Sequence, residues 1–70
     1  MSEIPKAPIT RIMKESGAER ISDDAKDAIT KHLETLAHEI TVEANKVARL
    51  AKRKTIKKED IDLAVKNLKK

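Results

Sequence analysis

Five cations stand within seven consecutive positions, Lys52, Arg53, Lys54, Lys57 and Lys58. A positive potential focused in this way is suited to a polyanion, although a lysine-rich turn by itself is more often simply solvated. By segment, residues 1–17 carry +1, 18–51 carry −2, 52–58 carry +5 and 59–70 carry 0, so this stretch exceeds the +4 of the whole chain. No nucleophile lies near a base, and no glycine-rich phosphate loop or metal-ligand cluster is present, so the chain is not expected to be an enzyme. His32 and His38 are about 120° apart on a helix and cannot chelate one ion. With no cysteine in the sequence, thiolate zinc sites and disulfides are ruled out. No cofactor is expected.

Three helices must position these cations. Pro8 suits a first turn, Ile9, Ile12 and Met13 follow at helical spacing, and Gly17 marks the end, which predicts a short helix over about 8–16. Ala18 to Ile21 form a link, with Ile21 as a buried anchor. Ser22 is a favourable N-cap, and Asp23 and Asp24 complement the positive helix end. From there to Ala51 no Gly or Pro interrupts the pattern. Ala25, Ile29, Leu33, Leu36, Ala37, Ile40, Ala44, Val47, Ala48 and Ala51 form one stripe, within about 80° of Leu33. The third helix runs from Lys57 to Leu68, with Ile61, Ala64, Val65 and Leu68 on one face. Lys57 is a poor cap, so something else is expected to satisfy that end, and a phosphate oxygen could do so. Val42, opposite the stripe, is expected to pack under a flanking helix.

The long helix measures roughly 43 Å, more than a compact domain of this size can cover. The chain also has no Phe, Tyr or Trp to enlarge a core. A second copy is therefore expected, with Ile29, Leu33, Leu36, Ile40, Ala44 and Val47 as the dimer core. The stripe is broader than a strict heptad seam, which disfavours an isolated coiled coil. Charged residues reach 40%, but the regular apolar spacing argues against disorder. No apolar run is long enough to span a membrane, and the acids on the polar faces disfavour a membrane-surface helix. The expected architecture is all-α in a single domain, residues 1–70.

The order Ala7-Pro8-Ile9-x-Arg11-Ile12, then Gly17-Ala18-Glu19-Arg20-Ile21-Ser22-Asp23-Asp24-Ala25, then Arg53-Lys54-Thr55-Ile56 and Glu59-Asp60-Ile61-x-Leu63-Ala64-Val65, resembles the archaeal histones. The match extends over nearly the whole chain. It implies a histone fold (short helix, long central helix, short helix) forming a handshake homodimer that wraps double-stranded DNA without reading its sequence. It further implies a cytoplasmic protein associated with the chromosome. Arg11 and Arg20 resemble arginines that enter the minor groove, and Lys54 and Thr55 resemble residues that hold phosphates. With Lys14, Ser22, Arg53 and Lys57 they make up the implied DNA-binding set. Arg53 and Asp60 resemble an ion pair that clamps the second loop to the third helix.

Two departures from that family bear on assembly. Leu50 stands where relatives carry a His that joins dimers by partnering an Asp, retained here as Asp60. Val47, Leu50, Asp60 and Leu63 are the candidate dimer–dimer residues, and the change either gives a hydrophobic contact or abolishes stacking. Lys52 replaces a small residue and adds charge beside that face. A competing reading is a histone-fold interaction subunit with a heterologous partner, a paralogue among the options, and weak DNA binding. Arg11, Arg20, Lys54 and Thr55 favour DNA wrapping.

Overall fold

The computed structural model describes residues 4–69. Three helices follow in order, α1 (Lys6–Glu15), α2 (Asp23–Leu50) and α3 (Lys58–Leu68), with no strand among the described residues. This is the all-α, short–long–short order expected from the spacing of apolar residues. Contacts divide the chain into two units, Met1–Thr35 and Leu36–Lys70, and α2 has residues in both.

In the first unit, α1 begins two residues earlier than the sequence suggests. Pro5 supplies an extended N-cap (φ −60°, ψ 139°), and Pro8 falls in the first turn, where a missing N–H costs no hydrogen bond. The helix ends in a Schellman motif. The Ala18 N–H donates to the Met13 carbonyl at 3.2 Å and the Gly17 N–H to the Lys14 carbonyl at 3.0 Å. Gly17 adopts φ 113°, a conformation that L side chains avoid. Ser22 then caps α2, its Oγ accepting the Ala25 N–H at 3.1 Å. An ion pair between Lys6 and Asp27 ties α1 to α2. Thr30 is fully buried and donates its hydroxyl to the Lys26 carbonyl at 2.7 Å, so no polar group is stranded there.

In the second unit the fully buried apolar residues are Ala44, Ala48 and Ala64. Small side chains of this kind allow α2 and α3 to approach closely. No large apolar side chain reaches full burial anywhere among the described residues. Around α2, the fully covered positions Thr30, Ala44 and Ala48 lie about 20–60° to one side of Leu33. Leu36, about 60° to the other side, remains 47% exposed. Ile29, Leu33, Ile40 and Val47 are half-buried. The stripe is thus covered at Thr30, Ala44 and Ala48 and open around Leu36 and Ala37. Val42 does not pack under a flanking helix as expected; it is 45% exposed, because it faces away from the covered positions.

Candidate nucleic-acid interface

The second loop takes its geometry from the end of α2. The Arg53 N–H donates to the Ala48 carbonyl and the Lys52 N–H to the Arg49 carbonyl, both at 2.9 Å, making a second Schellman motif. Its left-handed residue is Lys52, at φ 60°, where glycine would sit without steric cost. The reversed chain then carries Arg53 back towards α3.

Arg53 is the clamp expected from the sequence. Its Nη1 donates to Asp60 Oδ2 at 2.8 Å and its Nη2 to Asp60 Oδ1 at 2.9 Å, a bidentate pair. Nη1 also donates to the Thr55 carbonyl at 3.0 Å, which fixes the loop backbone. The Asp60 side chain is 2% exposed. Its hydrogen bonds from Arg53, and then from the Lys57 N–H, bring its pKa from 3.8 down to about 2. Asp60 in turn raises the pKa of Arg53 through the same hydrogen bond.

Asp60 also bears on the start of α3. Its Oδ2 accepts the Lys57 N–H at 2.8 Å, so the cap residue's own N–H is satisfied from within the chain, while no side chain caps the first-turn N–H groups of α3. A lysine side chain has no acceptor to reciprocate, so only half of a capping box forms. Both Asp60 oxygens are thereby occupied and buried, leaving Leu50 and Leu63, 86% and 44% exposed, as the open apolar residues of the dimer–dimer set. Val47 is half-buried.

The remaining cations divide by unit. In the first, Arg11, Lys14 and Arg20 are exposed, as is Ser22 beside them in sequence, whose Oγ is engaged as a cap. In the second, Lys54, Thr55 and Lys57 are exposed. Lys58 is spent on Asp62 at 2.7 Å, and that hydrogen bond raises its pKa. Lys6 is raised likewise by its hydrogen bond to Asp27. By contrast, Arg11, Lys14, Arg20, Lys54 and Lys57 make no ion pair with a described residue. Exposed cations of this kind are suited to an external anion. Asn45, Arg49 and Lys52 lie outside the expected set yet line a shallow cavity of about 610 Å³ with Arg53 and Lys54. No group of three or more His, Cys, Asp or Glu among the described residues is arranged to hold a metal.

The family model for histone-like transcription factors (CBF/NF-Y) and archaeal histones matches residues 2–65. The chain belongs to that family. One of the subunits of archaeal histone HAN1 of Thermococcus zilligii is 50% identical over 66 residues, covering 94% of this chain and 98% of that protein. Probable archaeal histone 3 of Methanocaldococcus jannaschii is 43% identical over 65 residues, covering 93% and 97% respectively. Membership of the archaeal histone family carries DNA binding and a role in chromatin architecture, together with dimer formation; it is a structural family, not one of enzymes. No helix among the described residues is long and apolar enough to cross a membrane.

Proposed function

We propose that this histone acts as a homodimer that binds, bends and compacts double-stranded DNA without reading its sequence. The observation that carries this reading is the division of labour among the loop cations. Arg53 is consumed by Asp60 and the Thr55 carbonyl, which ties down the loop, while Lys54 and Lys57 stay exposed without an acid partner among the described residues. A fixed backbone presenting unpaired cations suits phosphate, whose charge is the same at every base pair. Arg11 and Arg20, exposed and without an ion pair among the described residues, suit a narrowed minor groove, which attracts arginine through its enhanced negative potential. The open part of the α2 stripe around Leu36 supports pairing with a second long helix. Such a dimer would work in the cytoplasm, on the chromosome.

A second reading, a chain that pairs with a different histone-fold chain, is favoured by one observation: the relative from Thermococcus zilligii is named as one lettered subunit of its histone. Sedimentation of the purified chain separates the two. A stable dimer of the chain alone supports the homodimer, and a monomer that dimerises only with a paralogue supports the other. DNA binding is tested on three duplexes of unrelated sequence at low salt. Affinities that agree across the three, and exceed those of an equally charged control protein, support the reading; affinity no higher than the control's refutes it.

A further inference from the structure

The cavity at the end of α2 is not accounted for by the family resemblance. Asn45 and Arg49, four residues apart, share one face of the helix. The chain reversal at Lys52 brings Lys52, Arg53 and Lys54 to the same basin, which has a volume of about 610 Å³. Arg53 is neutralised by Asp60, but Arg49, Lys52 and Lys54 have no ion pair with any described residue. The lining is thus three unpaired cations and one amide, with no acid among them.

The backbone at Lys52 is a second, independent observation. At φ 60° it holds the left-handed conformation that closes the Schellman motif, and the motif itself asks for glycine. A lysine there is conformationally unfavourable, yet it places one more cation on the basin. Attraction between a cation and the negative end of α2 explains Arg49 in part, but that attraction does not require a side chain at Lys52.

We propose that Asn45, Arg49 and Lys52 form a phosphate site in this basin, holding a backbone phosphate of the bound duplex in addition to the one that the resemblance assigns to Lys54 and Thr55. This rests on the DNA-binding reading above. The site extends each copy's contact from the loop onto the last turns of α2, with the Arg49 guanidinium and the Lys52 ammonium supplying charge and the Asn45 amide a neutral donor.

The test compares wild type with Lys52→Gly, Arg49→Gln and the double variant, and uses Lys66→Ala as a control for loss of one cation outside the basin. Duplex affinity is measured from 50 to 200 mM salt. Removing one phosphate neutralisation lowers the slope of log K against log salt by about 0.9 per copy. The double variant is therefore expected to show a slope shallower by about 0.9 per copy, or about 1.8 per dimer, and Lys66→Ala an unchanged slope. Lys52→Gly is expected to weaken duplex binding at 50 mM salt while raising the melting temperature of the free protein. A purely structural role for Lys52 moves only the second of these. Titration with tripolyphosphate, followed by the backbone amide signals of Lys52 and Arg53, reports on free anions. An unchanged slope in the double variant overturns the proposal, and if tripolyphosphate then shifts those amides, the basin is a site for free polyphosphate instead. Failure of wild type to bind the duplex at all overturns the DNA-binding reading itself.

Discussion

Replacing Leu36 tests whether the open part of the α2 stripe is the surface on which a second copy sits. In the single chain this side chain is 47% exposed, so about half of its burial is still to be gained. Fully burying a leucine contributes roughly 1.5–3 kcal/mol, which leaves about 0.7–1.4 kcal/mol per chain for the partner to supply. A symmetric dimer contains the position twice, so Leu36→Ala is expected to weaken dimerisation by about 1.5–3 kcal/mol, or roughly 10- to 100-fold in the dimer dissociation constant. Any cavity left at the interface adds to that cost. Sedimentation equilibrium gives the constant directly, and thermal unfolding at several concentrations gives it indirectly, because a dimer's melting temperature rises with protein concentration. Leu50→Ala is the matched control: Leu50 is 86% exposed and lies off the dimer stripe, so its removal should leave the dimer constant unchanged. The reasoning is refuted if Leu36→Ala leaves the constant unaltered, or if Leu50→Ala shifts it as much.

Four further outcomes are expected. Gly17→Ala should destabilise the fold by about 1 kcal/mol or more, seen as a lower urea midpoint, because φ 113° disfavours any Cβ even where there is open space around it. The Asp60 carboxyl has its folded pKa near 2 and its ordinary value at 3.8, so its contribution to stability is complete above about pH 4 and is lost as the pH falls towards 2. Asp60→Asn should remove that part of the acid-side loss, read as the difference between the two melting curves across that range. Arg20→Ala and Lys54→Ala should each reduce duplex affinity by a similar factor on every DNA sequence, and a loss confined to one sequence would count against sequence-neutral binding. For assembly, nuclease digestion of complexes should yield a ladder in regular steps if Leu50 and Leu63 form a hydrophobic dimer–dimer contact; a single protected size shows that dimers do not stack.

Much of this fold is legible in the residues because the signals are local. Ser22 and Gly17 act where cap chemistry places them, and the periodicity of α2 gives its bounds to within one residue of those observed. The Arg53–Asp60 clamp is also found where the resemblance implies it. What escapes the sequence depends on chain geometry. Lys52 carries no mark of a left-handed residue, since that conformation is normally announced by Gly or Asn. Without that turn, Asn45 and Arg49 read as ordinary helix-surface residues, and their convergence with Lys54 is invisible. Asp60 reads as a partner for Arg53 and as an acid near a helix N-terminus, but its second bond, to the Lys57 N–H, needs the loop to be in place. Which parts of the α2 stripe are covered and which stay open is likewise set by packing, because alanine and leucine are equally apolar in a periodicity count.

DNA bending is the most direct test of the proposal that this histone wraps DNA. Energy transfer between dyes at the two ends of a duplex of about 60 base pairs, well below the DNA persistence length, reports the end-to-end distance. Addition of the dimer should shorten that distance to the same extent for unrelated sequences and reverse as salt is raised. Saturable binding that leaves the distance unchanged, or shortens it for one sequence alone, would contradict sequence-neutral wrapping.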